Sequence, residues 1–139
     1  MVIETTYRVI YGDTDNMGVM YYGTYLRLFE IGRNEYMRAR GLTYREVEAR
    51  GIQLPVTEAA CRYLRPARYD DLVIIATAVV YARGARVRFA YQIRDEVGTV
   101  LAQGHTEHGS LGPTGRPTRL SADVVEALAP GENPFHPER

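Results

Sequence analysis

The stretch "VIYGDTDNMGVMYYGTYLRLFEIGRNEY", Val9 to Tyr36, changes its period partway along, and that change sets the architecture. Leading into it, Glu4 to Tyr11 alternates, with Tyr7, Val9 and Tyr11 on one face and Arg8 and Ile10 on the other, as a strand does. "GDTDNMG" follows, dense in turn formers. From Tyr22 to Arg40 the period becomes helical, because Tyr22, Tyr25, Phe29, Gly32 and Tyr36 recur at spacings of three and four. Gly41 is placed to close that helix. Leu28 and Ile31 lie off its main apolar face and have no evident cover within the chain, so a second layer or a second subunit is expected over them.

Chemistry concentrates in the turn before the helix. A helix start carries free N–H groups and the positive end of a dipole, which suits an anion or a polarised carbonyl. A carboxylate beside it suits an attack on that carbonyl, and Asp13 and Asp15 stand there. Asp13 reads as a turn former, solvated or bonded to backbone. Gly18 reads as supplying either a special backbone conformation or a close approach that a side chain would block.

Beyond the helix, "GLTYREVEARG" reads as a short second helical segment ended by Gly51. Then the chain changes character. "IQLPVTEAACRYL", "DLVIIATAVVYA", "RVRFAYQIRD" and "TVLAQGHTEHGSL" are four strand candidates separated by turn signals. In the third, Val87, Phe89, Tyr91 and Ile93 alternate with Arg86, Arg88, Ala90 and Gln92, the pattern of an antiparallel sheet with one face covered. "DEVGT" reads as a hairpin turn, and "SADVVEALA" as a short helix with Ser121 as N-cap. One strand, a long helix and four further strands predict an α+β domain in which one antiparallel sheet wraps the helix. "PGENPFHPER", with three prolines, reads as a flexible tail.

A chain of 139 residues fits one domain. Its 17 basic and 17 acidic side chains cancel, so no global field recruits nucleic acid or an anionic membrane. The single cysteine, Cys61, makes no internal disulfide, and "MVIETTYRVIYG" lacks the form of a signal peptide, so a cytoplasmic protein is expected. No apolar run approaches the roughly 20 residues that span a bilayer.

"YGDTDNMGVMYYGTYLRLFEIGRNEYMRARGL", then "RPARYDDLVIIAT", and more loosely "GRPTRLS", resemble the hot-dog-fold acyl-CoA thioesterases of the 4-hydroxybenzoyl-CoA thioesterase family. The resemblance covers roughly residues 4 to 128. It implies a hot-dog domain over residues 1–130, a five-stranded antiparallel sheet around one long central helix, with 131–139 as the tail. It implies hydrolysis of an acyl-CoA, or of an acyl-carrier-protein thioester, to a free acid. Asp15 would be the catalytic carboxylate, nucleophile or general base, and the backbone N–H of Tyr22 would hold the thioester oxygen. It also implies that basic residues at the start of the fourth strand hold CoA phosphates. Here Arg83, Arg86 and Arg88 stand in that place, clustered guanidiniums suit that task, and Arg83 and Arg86 are the candidates. Alternation sets Arg86 and Arg88 on the solvent side. The family pairs two hot-dogs side by side, so a homodimer or homotetramer is expected.

Thr24 stands where relatives often carry Asn. Glu30 lies about 12 Å beyond Tyr22 along the helix and is expected to pair with Arg33 or Asn34 rather than to join Asp15. His105 and His108, three apart in a strand, face opposite sides and make poor joint metal ligands. There is no P-loop, dinucleotide fingerprint or serine-esterase elbow, so neither a metal nor a cofactor is called for. Two rival readings are a hot-dog module that binds acyl-CoA without turnover and a hot-dog hydratase. The hydratase needs an acid–base pair that usually includes a histidine, and the loop from Tyr11 to Tyr25 has none.

Overall fold

The computed structural model describes residues 1–137; Glu138 and Arg139, the last two of the expected tail, lie outside the described residues. In chain order come β1 (Ile3–Arg8), a single 3₁₀ turn (Tyr11–Asp13), α1 (Thr24–Ala39), α2 (Tyr44–Ala49), β2 (Val56–Tyr63), β3 (Leu72–Arg83), β4 (Arg86–Asp95), β5 (Val100–Gly109) and α3 (Ala122–Leu128). The five strands form one antiparallel sheet in the order β1-β3-β4-β5-β2. The α+β fold read from the sequence is the fold observed.

β1 stops at Arg8, short of the expected Tyr11. Its partner β3 begins at Leu72, paired with Arg8, and Val9 exchanges hydrogen bonds with Asp70 and Asp71 of the preceding loop. Ile10 and Tyr11 have no strand beside them and turn outward into solvent.

α1 lies on one face of the sheet and buries Tyr25, Leu28, Phe29, Gly32, Tyr36 and Met37. Phe29 stacks on Tyr91 of β4 at 4.3 Å between ring centroids, and Tyr36 donates its hydroxyl to the Leu128 carbonyl at 2.5 Å, tying α1 to α3. Gly32 sits where a Cβ would come within 2.5 Å of Thr77 Oγ1 and 2.8 Å of Ile75 Cγ2, so the absence of a side chain lets the helix settle on β3. Leu28 is fully buried within the single chain, which corrects the expectation that it needs outside cover; Ile31 is half-buried against the same core. The sheet and the segments flanking α1 enclose a wider arc than the helical period alone suggests.

The β4–β5 turn at "DEVGT" is as expected. The Asp95 carboxylate accepts the Val97 and Thr99 N–H groups, and Gly98 takes the left-handed φ of +95°. After α3 the chain runs along the sheet: Gly131 N–H donates to Val79 O, and Gln103 Nε2 donates to His136 O. β2 occupies one edge of the sheet and is exposed along most of its length.

Candidate active site

The chain from Asp13 to Tyr21 folds back on itself before α1. Asp13 O accepts the Tyr21 N–H at 2.8 Å, Thr14 bridges Met20, and Asp15 N–H donates to Val19 O at 3.0 Å. Gly18 closes the turn by donating to Asp15 O at 3.0 Å, with φ at +79° and no atom within 4 Å of where a Cβ would stand. Gly18 therefore supplies a backbone conformation and not a close approach.

Asp15 lies half-buried in this loop. Its Oδ1 accepts the Met17 N–H at 2.8 Å, which fixes the rotamer; Oδ2 has no hydrogen bond among the described residues. Tyr22 sits two residues ahead of α1, in a turn where Thr24 N–H donates to Tyr21 O. The Tyr22 N–H itself has no acceptor among the described residues, and its carbonyl accepts the Tyr63 hydroxyl at 2.9 Å. Asp15 and Tyr22 line one open cleft of about 290 Å³, walled by Met20, Tyr25, Tyr63 and Pro66. A residue with an unpaired N–H and a carboxylate with an unbonded oxygen, both lining one cleft, are the groups needed to bind a carbonyl oxygen and deliver a base or nucleophile to its carbon.

Asp13 departs from its sequence reading. It is 4% exposed, not solvated, and both oxygens are bonded: Oδ2 to the Tyr7 hydroxyl at 2.7 Å and the Ile10 N–H at 2.9 Å, Oδ1 to Arg27 Nη2 at 2.7 Å. The backbone bond was expected; the ion pair was not. Arg27, fourteen positions on, became its partner only because α1 folds back beside β1. Tyr63 was missed for the same reason, since it reaches Tyr22 from the far edge strand.

Arg83 and Arg86 do not join Asp15 within one chain. They line a second open cleft, of about 840 Å³, where the β3–β4 hairpin meets the start of β2. Both are exposed, and neither has a carboxylate partner among the described residues; the Arg83 guanidinium lies 5.2 Å from the Tyr81 ring centroid. Arg88, by contrast, is held by Glu107 at 3.0 Å and Glu58 at 3.7 Å. Glu30 is 3.7 Å from Arg33 and lines no part of the Asp15 cleft. His105 meets Glu58, while His108 is buried among Thr106 and Leu54. No metal-ligating cluster occurs among the described residues, nor a helix long and apolar enough to cross a membrane.

Comparison with known proteins places this architecture. The acyl-CoA thioester hydrolase YbgC of Escherichia coli is 32% identical over 94 residues, 68% of this chain and 70% of that protein. A DHNA-CoA thioesterase from Staphylococcus aureus superposes with a TM-score of 0.86 at 32% identity, covering 91% of this chain and 87% of that one. A 4-hydroxybenzoyl-CoA thioesterase in complex with 4-hydroxybenzoyl-CoA shares the fold, with a TM-score of 0.82 at 21% identity over 92% of this chain and 99% of that one. Residues 9–128 match the thioesterase-like superfamily, and with the fold and these relatives in agreement, the chain belongs to that superfamily and is a hot-dog-fold thioester hydrolase.

Proposed function

We propose that this thioester hydrolase cleaves acyl-CoA at the cleft shared by Asp15 and Tyr22. The carrying observation is that Tyr22, with an unpaired N–H, and Asp15, with one carboxylate oxygen unbonded, line the same cleft. The thioester carbonyl oxygen accepts from Tyr22, which stabilises the negative charge that grows on it as the carbon is attacked. By one route Asp15 adds to the carbonyl carbon, the C–S bond breaks and CoA leaves as the thiolate; water then hydrolyses the mixed anhydride. By the other, Asp15 takes a proton from a water that attacks the same carbon. Both yield the free acid and CoA.

Arg83 and Arg86 supply the phosphate end of the reading, and they do so across a subunit boundary. The Arg83/Arg86 cleft includes Thr57 and Glu58 near the start of β2, whereas the Asp15 cleft includes Tyr63 at its end. The five to six residues of β2 between them set the two about 17–20 Å apart. Two β2 strands paired antiparallel about a two-fold axis would set the Val56 end of one beside the Tyr63 end of the other. That arrangement brings Arg83 and Arg86 of the partner subunit alongside Asp15. An even-numbered homo-oligomer with two equivalent sites per pair follows. An acyl-carrier-protein thioester shares the pantetheine arm but would not need these arginines.

Release of free thiol from a panel of acyl-CoAs tests the reading. Asp15→Asn should lower kcat at least about 100-fold with the fold retained. A folded Asp15→Asn protein that turns over normally would refute the mechanism. In single turnover in isotopically labelled water, label in the Asp15 carboxylate identifies the anhydride route, because general-base catalysis makes and breaks no bond to the oxygens of that carboxylate.

A further inference from the structure

Asp13 lines no part of the cleft, yet it is the most fully bonded side chain of the site loop. Its carboxylate joins three elements: β1 through Tyr7, the turn ahead of the loop through the Ile10 N–H, and the first turn of α1 through Arg27. Arg27 Nη2 also donates to Tyr7 Oη at 2.8 Å, and the guanidinium stands 5.6 Å from the Tyr7 ring centroid, so the three side chains close a ring. A charge buried this deeply is strongly destabilising once it loses its partner, which resists any parting of these elements.

The same residue also grips the other end of the loop. Its main-chain carbonyl holds the Tyr21 N–H at 2.8 Å, one residue before Tyr22. Inside that bond the Thr14–Met20 bridge and the Asp15–Val19 hydrogen bond follow as rungs. Asp15 is thus two residues from the buried carboxylate on one side of the loop, and Tyr22 is one residue from its carbonyl's partner on the other.

We infer that Asp13, through its ion pair with Arg27, is a positioning residue that sets the Tyr22 N–H and the Asp15 carboxylate at their working separation. The inference rests on the roles given to Asp15 and Tyr22 above. A turn needs only local hydrogen bonds to keep its shape, and an Asx-turn of the kind Asp15 makes with Met17 would suffice. What local bonds do not provide is a fixed distance between the loop, the sheet and the helix. An oxyanion donor works only at the place where the charge will develop, and a displacement of about 1 Å costs on the order of 100-fold in rate. The Tyr7–Asp13–Arg27 ring ties the loop to sheet and helix together.

The test measures kcat, KM and melting temperature by thiol release and thermal unfolding for the wild type, Asp15→Asn, Asp13→Asn, Arg27→Gln, Arg27→Lys and the Asp13→Asn/Arg27→Gln double variant. Arg27 is half exposed, so Arg27→Gln disturbs packing little and decides the matter if Asp13→Asn does not fold. Arg27→Gln and Asp13→Asn should each lower kcat roughly 10- to 100-fold with KM within about twofold, because an oxyanion contact acts in the transition state. The double variant should fall no further than the worse single one, since both break one clamp. Arg27→Lys, which keeps the charge, should recover part of the loss. Wild-type kcat in folded Arg27→Gln overturns the inference, as does a rise in KM at constant kcat, or losses that multiply in the double variant. An Asp15→Asn protein with full activity overturns the underlying assignment instead, so the two failures are told apart.

Discussion

The proton on His108 is located by its neighbours. Nδ1 lies 2.9 Å from the Leu54 carbonyl, which only accepts, so Nδ1 carries the hydrogen. Nε2 is then an acceptor for the Thr106 hydroxyl at 2.8 Å, and Thr106 Oγ1 in turn accepts from Tyr91 Oη at 2.6 Å. A neutral imidazole completes the chain; a second proton on Nε2 would force Thr106 to give up its acceptor. Burial pushes the His108 pKa below its ordinary 6.5, against the opposing pull of the Leu54 carbonyl. The sign follows from proton counting: below pH 6.5 the unfolded chain takes up the proton that the folded one refuses. His108 therefore costs no stability above that pH and destabilises progressively as pH falls through it. Melting curves between about pH 7.5 and about pH 5.5 should drop more steeply for the wild type than for His108→Gln. Parallel slopes would show that His108 is protonated in the folded protein.

At the scale of elements, the decisive contact is α1 on β3. The helical period contains a glycine at position 32 where a large residue would complete the apolar face. Gly32→Ala gains about 1 kcal/mol of helix propensity. Against this, the new Cβ meets Thr77 Oγ1 at 2.5 Å and Ile75 Cγ2 at 2.8 Å, side chains rooted in a central strand. Overpacking of this kind costs about 1–3 kcal/mol and shifts the helix that follows the site loop. The clash should win, so Gly32→Ala should lower the melting temperature by on the order of 5 °C. A melting temperature at or above wild type would show that α1 has room to lift off the sheet without loss.

At the scale of the whole molecule, the surface left for a partner is β2 and not α1. Leu28 needs no outside cover, but β2 is exposed along most of its length. Ala59 sits opposite Thr106, on the side of the sheet that α1 packs against, and is still exposed, because α1 meets β2 nearer its other end, where Tyr25 packs on Tyr63. An open edge strand pairs readily with a second copy. Light scattering should report an even multiple of the chain mass, and Ala59→Lys should lower both assembly and activity. A fully active monomer would defeat the proposed pairing. Replacing Arg83 and Arg86 with Ala should raise KM for acyl-CoA and leave kcat largely intact. An acyl-pantetheine, which lacks the nucleotide, should not respond; equal losses on both substrates would assign the two arginines to structure.

What the sequence determined by itself is whatever one segment can express. The 3.6 period of α1, the alternation of β4, the turn at "DEVGT" and the glycine at position 18 all follow from local conformational rules, and each is found where those rules put it, save that α1 begins at Thr24 and leaves the expected first residue, Tyr22, in the turn before it. Asp15 and Tyr22 were legible as a pair because they stand seven positions apart in one loop, and both line the same cleft. Tertiary structure alone decided the rest. Asp13 lost its solvent because β1 and α1 close over it, and a carboxylate so placed must find a charged partner, which only the folded chain could provide in Arg27. It set Arg83 and Arg86 in a cleft apart from Asp15, and it left β2 rather than Leu28 uncovered. These outcomes depend on strand order, β1-β3-β4-β5-β2, which places the second strand in sequence at the far edge of the sheet. Periodicity fixes which face of a strand is apolar but carries no information about which strand lies beside it.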